Sequence, residues 1–376
     1  MNINNKHYTT IWLNENDELQ IIDQTALPFS FNILTLSTYK DVCHAISSMQ
    51  VRGAGLIGVT AAYGVYVAAK DFAKQVKFSW QEFMKNACNE ILQTRPTAKN
   101  LSYALEKQAT IWQEYCFEKA LPMLREQALT IAQEDINFCY KIGEHGKKII
   151  AEIAKNKHGN PVNILTHCNA GWLAFTDYGS ALSPVYAAFD ENIPVHVFVD
   201  ETRPRNQGAS LTAFELSEHH VPHTLIADNV GGHLMQHNMI DLVIVGADRV
   251  TRNGDVANKI GTYLKALAAF DNNIPFYVAF PSSTFDFSIS NGIKEIIIEE
   301  RSGHETEYIT GCFHDSKGQQ QIQEVRICPQ TTKAINYAFD VTPQKFITGL
   351  ITERGICSAN EEAILKLFPE ATKFKG

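Results

Sequence analysis

The sequence predicts an α/β protein: a small N-terminal domain, a short antiparallel sheet plus helices (1–154), followed by a Rossmann-like parallel-sheet C-terminal domain (155–376). Two observations predict this class. Helical periodicity dominates residues 40–153, whereas short continuous apolar runs recur beyond it. The segment KNKHGNP (155–161) between them is polar and rich in turn formers, so we place the domain boundary there.

The first forty residues predict a small antiparallel sheet. YTTIWL (8–13) and ELQIID (18–23) alternate apolar and polar positions around a turn at Asn14–Asp17, which is typical of a hairpin. FNILTL (31–36) can add a third strand.

A helical pattern follows and completes the N-terminal domain. Amphipathic stretches cover 79–92 and 120–146, and the pattern breaks near Thr94–Pro96. The longest weakly polar run, Leu56–Ala69, is shorter than the ~20 residues that cross a bilayer. We therefore expect no membrane span.

Beyond the boundary, apolar runs predict the strands of a parallel sheet. They are VNILTH (162–167), VHVFVD (195–200), HTLIAD (223–228), DLVIVGAD (241–248) and PFYVAF (275–280). Helical patterns such as 211–220 and 233–239 lie between successive runs and fit one crossover each. Continuous apolar strands that alternate with helices indicate a sheet covered on both faces.

Composition excludes several classes of function. The chain has 376 residues and a net charge of −8, so it lacks the basic excess that attracts nucleic acid or an anionic membrane. The N-terminus, MNINNKHYTT, lacks the pattern of a secretion signal. Its eight cysteines are scattered, without a C-x-x-C pair or a zinc-like spacing. These features predict reduced thiols in a cytoplasmic protein.

Polar clusters follow each of the five predicted strands. Because the carboxyl ends of parallel strands meet at one edge of a sheet, the clusters predict an active site at that edge. No G-x-G-x-x-G follows the first of these strands, no P-loop occurs anywhere in the sequence, and no His/Asp/Glu constellation suggests a metal. We therefore expect neither a nucleotide cofactor nor a metal.

Two of these clusters offer candidate catalytic residues. Cys168 follows the first strand and precedes small residues, which favours an accessible thiol; a buried structural cysteine is the alternative. Asp248 ends the most apolar strand, where partial desolvation favours an acid–base role. A helix-capping or turn aspartate is the alternative there.

Other residues suggest an anionic ligand. Arg52 lies in VRGAGLIG, where a glycine turn can present N–H groups to an anion at a helix N-terminus, although a surface arginine before a packing face also fits. Arg95 stands beside a proline turn that can equally be a simple helix break. Asn258 and Lys259 lie where a loop is expected to enter a helix, and a lysine there is unfavourable unless an anion is also present.

The cluster after the second strand, DETRPRNQGA (200–209), is ambiguous. Arg203, Arg205 and Gln207 can face a ligand or lie in a solvated loop. Asp200 and Glu201 can hold the two arginines through ion pairs.

Six motifs, taken in order, are more specific than any single residue. They are VRGAGLIGVTAAYG, TRPTAKNL, ILTHCNAG, DETRPRNQGASLTAFEL, VGADRVTRNGDVANKIGTY and FYVAFPSSTFD. In this order they resemble the 5-methylthioribose-1-phosphate isomerases of methionine salvage. That family belongs to the superfamily of the alpha, beta and delta subunits of translation initiation factor 2B. The resemblance extends over nearly the whole chain, to ITERGI (351–356).

The resemblance implies an aldose–ketose isomerase that acts on a sugar 1-phosphate without a cofactor, as a homodimer. It implies Asp248 as the proton donor, and Cys168 as a base or a transition-state stabiliser. The implied substrate-binding residues are Arg52, Gly53, Ala54, Arg95, Gln207, Asn258 and Lys259.

The sequence departs from the family pattern at two motifs. Gly55 and Leu56 replace a usual Pro and Ala, while Ala170 and Trp172 replace a usual Thr and Ala. Related enzymes isomerise 5-deoxyribose 1-phosphate or ribose 1,5-bisphosphate, so the C5 substituent stays open. A regulatory subunit that binds a phosphorylated ligand is the rival class, although it needs neither the thiol nor the carboxylate. Residues 312–326 match no motif and receive no role.

Overall fold

The computed structural model describes residues 1–3, 6–74, 78–96 and 99–374. Its helices are α1 (Tyr39–Ser47), α2 (Ala54–Phe72), α3 (Trp80–Thr94), α4 (Lys99–Glu114), α5 (Phe117–Lys155), α6 (Ser183–Asp190), α7 (Ala213–Glu218), α8 (Val230–Gln236), α9 (Thr262–Asp271), α10 (Gly292–Glu295), α11 (His304–Glu307) and α12 (Glu361–Leu367). None of the described helices combines the length and hydrophobicity of a membrane span.

The strands of the N-terminal half are β1 (Asn2–Ile3), β2 (Lys6–His7), β3 (Ile11–Leu13), β4 (Leu19–Ile22) and β5 (Ile33–Leu36). Those of the C-terminal half are β6 (Val162–Thr166), β7 (Val195–Asp200), β8 (His223–Ile226), β9 (Leu242–Val245), β10 (Arg249–Thr251), β11 (Val256–Lys259), β12 (Phe276–Ala279), β13 (Phe285–Asp286), β14 (Glu300–Arg301), β15 (Tyr308–His314), β16 (Gln320–Arg326), β17 (Asn336–Tyr337), β18 (Phe339–Thr342), β19 (Gly349–Thr352) and β20 (Gly355–Cys357).

The predicted N-terminal sheet is confirmed. Strands β3, β4 and β5 form an antiparallel sheet in which Ile11 pairs with Ile21, and Leu19 with Leu36. The turn between β3 and β4 is fixed by Asn14, whose side-chain oxygen accepts the backbone N–H groups of Asn16 and Glu18. The hairpin and its third strand therefore follow from local sequence signals.

Helix α2 is the centre of the N-terminal half. Every residue from Gly55 to Ala69 is buried, because α1, α3, α4 and α5 pack around it. The stretch 55–69 contains no charged residue, and its Thr60 hydroxyl donates to the carbonyl of Leu56, so its enclosure removes no charged side chain from water. The longest weakly polar run of the sequence is therefore a core helix.

The long helix α5 packs against both halves. Its first part contributes Leu124 and Ile131 to the core around α2, and its last part contributes Ile142 and Ile150 to the core under the large sheet. The predicted domain boundary at 154/155, just before the end of this helix, stays a prediction.

The large sheet has the order β20-β19-β12-β9-β6-β7-β8. All neighbouring pairs are parallel except β19–β20, so the strands run in the Rossmann order 3-2-1-4-5-6 with an antiparallel edge. The five predicted strands are confirmed within this α/β fold. Strands β19 and β20 are not predicted, because they are short and lie about seventy residues beyond the fifth run.

A second sheet, β13-β10-β11-β18, stands beside the large one. It corrects one expectation: Asn258 and Lys259 are not at a helix start but at the end of β11, and α9 begins only at Thr262. The cause is the antiparallel pairing of β11 with β18, which opposes Asn258 to Asp340 and Lys259 to Phe339. Such a long-range pairing leaves no signal in the local sequence.

Residues 312–326 lie mostly in an exposed two-stranded ribbon. Strands β15 and β16 pair along their full length, from Tyr308 opposite Arg326 to His314 opposite Gln320. The ribbon contacts the N-terminal half where the Gln320 amide donates to the carbonyl of Phe29 at 3.4 Å.

Close packing of α5 on α6 gives a test of the fold. A Cβ on Gly146 would lie 2.4 Å from Pro184 Cγ, whereas a Cβ on Gly232 in α8 would meet only Ala268 Cβ at 3.7 Å. We expect Gly146→Ala to lower the free energy of unfolding by about 1–3 kcal/mol through overpacking. Gly232→Ala should instead raise it by up to about 1 kcal/mol, because alanine favours helix. Thermal unfolding measures both, and equal shifts would contradict this packing.

Candidate active site

The site lies where the strand order of the large sheet reverses. Strands β6 and β9 are neighbours at its centre, and the chain leaves them toward opposite sides of the sheet. In open α/β sheets such a switch point forms a ligand-binding crevice. Cys168 follows β6 and Asp248 follows β9, so both face this crevice.

All nine catalytic and substrate-binding residues that the resemblance implies border one cavity of about 50 Å³. Its walls come from the N-terminal half and from the carboxyl edge of the large sheet. The nine residues are Arg52, Gly53, Ala54, Arg95, Cys168, Gln207, Asp248, Asn258 and Lys259. The fold therefore brings the predicted residues together, while the role of each stays a prediction.

Cys168 has a tightly fixed backbone in the left-handed region, with φ of 66°. Its N–H donates to Thr202 Oγ1 at 2.8 Å, and its carbonyl accepts from Thr212 Oγ1 at 2.7 Å. The residue is only 7% exposed, yet it borders the cavity, so it is both buried and accessible from the site. Its sulfur lies 3.7 Å from Arg52 Nη2, which places a positive charge beside the thiol.

Asp248 occupies the turn between β9 and β10. Its backbone N–H donates to the carbonyl of Ala257 at 2.9 Å, which ties the turn to β11. Within the described part of the chain, its carboxyl group has no hydrogen-bond or ion-pair partner. A partly buried carboxyl with free lone pairs beside a cavity is suited to exchange a proton with a ligand.

Helix α2 begins at the cavity. Gly53 caps it with φ of 89°, and a Cβ there would lie 2.5 Å from Ala174 Cβ, so both the turn and the packing require glycine. The first-turn N–H groups of a helix have no partner within it and attract anions. The expectation of a glycine turn at a helix N-terminus is thus confirmed for 52–54.

Cations dominate the walls of the cavity. Arg52, Arg95 and Lys259 are joined by Arg301, which the sequence analysis does not identify. Arg301 Nε lies 2.8 Å from Glu299 Oε1, and Arg95 Nη2 lies 3.5 Å from Glu299 Oε2. Glu299 thereby links an arginine of the N-terminal half to one of the C-terminal half.

The charged groups around the cavity shift one another's pKa values. Burial lowers the pKa of Lys259 to about 8, and neighbouring Arg301 and Arg52 act in the same direction against Cys168 and Asp248. Burial acts to raise the pKa of Glu299, but the hydrogen bond from Arg301 and the charge of Arg95 outweigh it and lower that pKa. The Lys259 ammonium lies 5.0 Å from the ring centre of Phe339, which provides a cation–π contact.

Two of the predicted residues in the lining are amides. Gln207 is 4% exposed, and its Oε1 has no hydrogen-bond partner among the described residues, so it can accept a hydroxyl of a ligand. Asn258 donates from Nδ2 to Thr262 Oγ1 at 3.0 Å.

The nearby arginines of 203–205 lie outside the cavity. Arg203 Nη2 donates to the carbonyl of Thr306 at 2.8 Å, and Arg205 Nη1 lies 2.7 Å from Glu305 Oε1. In the described structure neither arginine pairs with Asp200 or Glu201, so the predicted ion pairs are wrong. Both arginines turn instead to residues one hundred positions later, which local sequence cannot indicate.

Asp200 belongs to a different buried network. Its Oδ2 lies 2.8 Å from His167 Nδ1 and 3.1 Å from Lys265 Nζ. His167 Nε2 contacts the carbonyl of Ile260 at 2.8 Å, which holds the chain after Lys259 near Cys168. The network ties the ends of β6, β7 and β11 together.

The sequence analysis finds no constellation of metal ligands, but the fold assembles one group with suitable spacing. Within the described ranges, His167, Asp200 and Asp228 place ligand atoms within 4.8 Å of one another. The three residues come from the ends of separate strands, so their spacing in sequence carries no signal. The Lys265 ammonium already supplies a positive charge to Asp200 there.

A larger cleft adjoins the cavity and shares Met49, Arg52 and Gln207 with it. Its volume is about 510 Å³, and Leu27, Phe29 and Leu211 contribute apolar side chains. The cavity is therefore continuous with a wider, partly apolar space.

Trp172, one of the departures from the family pattern, is fully buried. It packs in the core under the large sheet rather than on the wall that carries Cys168. Trp172 therefore belongs to the core beneath the site and does not line the cavity.

Known proteins are similar to this chain over nearly its whole length. A family model described as "Initiation factor 2 subunit family" matches residues 50–359. A methylthioribose-1-phosphate isomerase of Desulfatibacillum aliphaticivorans is 52% identical, covering 99% of this chain and 100% of its own. A methylthioribose-1-phosphate isomerase of Sinorhizobium medicae is 53% identical, covering 98% and 100%.

Two solved structures are also similar to this chain over nearly its whole length. The 5-methylthioribose 1-phosphate isomerase of Pyrococcus horikoshii has a TM-score of 0.81 and 34% identity, covering 97% of each chain. The translation initiation factor eIF-2B delta subunit of A. fulgidus has a TM-score of 0.77 and 34% identity, covering 96% of this chain and 100% of its own. The chain therefore belongs to the initiation factor 2 subunit family, together with the methylthioribose-1-phosphate isomerases.

Proposed function

We propose that this chain is an aldose–ketose isomerase that converts 5-methylthioribose 1-phosphate to 5-methylthioribulose 1-phosphate. The observation that carries the proposal is the meeting of the Cys168 thiol, the Asp248 carboxyl and several cations around one cavity at the switch point of the sheet. The names of relatives at 52% and 53% identity support the same activity.

The phosphate is held by charge and by backbone N–H groups. Arg52, Arg95, Lys259 and Arg301 face it, and the N-terminus of α2 adds its dipole. With Glu299 between two of the arginines, the cavity keeps a surplus of positive charge. That surplus matches a phosphate dianion together with one negative group on the protein, such as a Cys168 thiolate.

Ring opening is the first chemical step. The phosphoester on C1 prevents spontaneous opening, so the bond between C1 and the ring oxygen must break with the phosphate in place. Asp248, in its protonated form, gives its proton to the ring oxygen, and C1 is left as an oxocarbenium ion. The absence of a competing partner for this carboxyl among the described residues supports its role as the donor.

Hydrogen then moves from C2 to C1 by one of two routes. In the first, the Cys168 thiolate removes the C2 proton to give an enol and returns a proton to C1. In the second, hydride passes directly from C2 to C1, and the thiolate stabilises the cation. In both, the C2 hydroxyl becomes the ketone and gives its proton to Asp248, which restores the carboxyl. Arg52 beside the sulfur supports a thiolate in either role.

The adjoining cleft supports an apolar substituent at C5. Leu27, Phe29 and Leu211 line it, and it has two arginines: Arg205 is paired with Glu305, and Arg52 is shared with the cavity and donates to Asn169. A second phosphate at C5 would therefore have to compete for arginines that already have partners, which favours the methylthio sugar over ribose 1,5-bisphosphate.

A direct assay tests the activity. Purified protein is incubated in heavy water with 5-methylthioribose 1-phosphate, 5-deoxyribose 1-phosphate or ribose 1,5-bisphosphate, and products are followed by NMR. We expect ketose from the methylthio sugar with the highest kcat/KM. Deuterium at C1 identifies proton transfer, and its absence identifies hydride shift or a shielded proton. Preference for another sugar would overturn the substrate, and no turnover at all would favour the regulatory subunit.

Removal of either reacting group should abolish most of the activity. We expect Cys168→Ser and Asp248→Asn each to lower kcat by about 10²–10⁴-fold, as is typical when an acid–base group is lost. Cys116→Ser is the matched control, because that cysteine is exposed and does not line the cavity. Steady-state kinetics measures all three, and full activity of Cys168→Ser would exclude both routes.

The protonation state of Lys259 should control binding at alkaline pH. Burial lowers the pKa of Lys259 to about 8, so the ammonium is present below that pH and is lost above it. We expect kcat/KM to fall as pH rises through about 8, since a neutral amine no longer attracts phosphate. Lys259→Arg keeps a charge and should move this fall to higher pH. An unchanged alkaline limb in that variant would assign the fall to another group.

A further inference from the structure

Glu215 on α7 is a buried carboxylate that the proposed chemistry does not use. Its side chain is completely buried, and burial raises its pKa to about 7 against the effect of its hydrogen bonds. A carboxylate in such a position costs free energy, so its partners indicate what it does.

Four donors converge on this carboxylate. Oε2 accepts the Trp172 N–H at 2.8 Å and the Tyr186 hydroxyl at 2.9 Å, while Oε1 accepts the Leu173 N–H at 3.0 Å. Oε1 also accepts from Asn169 Nδ2 at 2.7 Å. Three of the four donors thus lie in the segment that directly follows Cys168.

The Glu215 carboxylate lies so close to the backbone of that segment that one of its positions must be glycine. A Cβ on Gly171 would lie 1.8 Å from Glu215 Oε2, which no side chain can satisfy. The glycine is therefore required by the carboxylate.

Through Asn169, Glu215 reaches the thiol. The Asn169 amide nitrogen faces Glu215, so the amide oxygen must face the opposite way, where it accepts from Arg52 Nη1 at 2.8 Å. The Asn169 carbonyl accepts from Arg52 Nη2 at 3.1 Å, and that same nitrogen lies 3.7 Å from Cys168 Sγ. If the amide turned over, its NH₂ group would face the guanidinium, and one contact that places Arg52 would be lost.

Thr212 supports the same orientation through a longer bond. Its hydroxyl hydrogen is donated to the Cys168 carbonyl, and its oxygen accepts from Asn169 Nδ2 at a longer distance of 3.2 Å. The charged acceptor, Glu215, makes the shorter and stronger bond.

We propose that Glu215 is a positioning residue: by orienting Asn169 it holds the Arg52 guanidinium against the Cys168 sulfur and so keeps that sulfur as a thiolate. The proposal rests on the proposed function for its kinetic consequence, but the contact chain Glu215–Asn169–Arg52–Cys168 stands without it.

The chain offers a matched control. Asp135 on α5 is a second buried carboxylate, and it accepts the Thr176 N–H at 2.7 Å, farther along the segment that Glu215 holds. It has no bond to Asn169, Arg52 or Cys168. Asp135→Asn therefore removes a comparable buried charge without touching the contact chain.

The experiment compares Glu215→Gln with Asp135→Asn. In each, thiolate is read as the far-ultraviolet absorbance lost on adding Cys168→Ser to the same variant, without substrate, and kcat and KM are measured separately. We expect Glu215→Gln to lose most of the thiolate signal and about 10–100-fold in kcat with a smaller change in KM, as misplacement of a reacting group predicts. Asp135→Asn should lower thermal stability and leave the thiolate signal and kcat within about threefold.

A second variant guards against misfolding of Glu215→Gln. Asn169→Ser removes the side-chain bond to Arg52 Nη1, keeps the backbone carbonyl that accepts from Arg52 Nη2, and leaves the other three bonds of Glu215 in place. We expect the same loss of thiolate as in Glu215→Gln, because both variants remove the contact that orients the guanidinium. Retention of the thiolate signal in either folded variant, or its absence from the unmodified protein, would overturn the proposal. Because this signal needs no substrate, failure of the isomerase assay would leave this test intact.

Discussion

Placing four cationic side chains around a cavity of about 50 Å³ costs free energy, because each loses water and the like charges repel one another. Glu299 offsets part of that cost by bridging Arg95 and Arg301, and the Phe339 ring lies against Lys259. The rest must come from rigid surroundings that keep the charges from relaxing apart. The close glycine packing at Gly53, the paired strands β11 and β18 and the buried network around Asp200 supply that rigidity.

The cost of crowding cations around the cavity also bears on which elements carry the cations and which carry the reacting groups. The reacting groups, Cys168 and Asp248, follow β6 and β9, the strands at the centre of the large sheet. The cations come from other elements. Arg52 precedes α2 and Arg95 follows α3, while Lys259 ends β11 and Arg301 lies in β14. The cations that bind and the groups that react are thus contributed by different elements, and Asn169 connects the two sets by bonding Arg52 next to Cys168.

Much of this arrangement follows from the sequence, for identifiable reasons. The five strands are predicted because buried parallel strands are continuous apolar runs, and Cys168 and Asp248 follow from their place at strand ends. Local sequence patterns carry no information on the pairing of distant strands. The sequence therefore predicts a helix start at Lys259, where the structure has the end of a strand. Arg301 is missed because it lies outside all of the recognised motifs, and Glu215 because a carboxylate in an amphipathic helix ordinarily faces solvent.

The 39-residue helix α5 has a consequence for how this chain can be recombined with its relatives. Its last turns, with Ile142 and Ile150, are part of the core under the large sheet, and so are Met1 and Ile3 from the opposite end of the N-terminal half. A chimaera joined after residue 155 would combine the helix of one parent with the sheet of another across a tightly packed seam at Gly143 and Gly146. A functional chimaera therefore has to take both halves from one parent, because a side chain added at Gly143 or Gly146 requires a matching change at Ser183 or Pro184 on the facing helix.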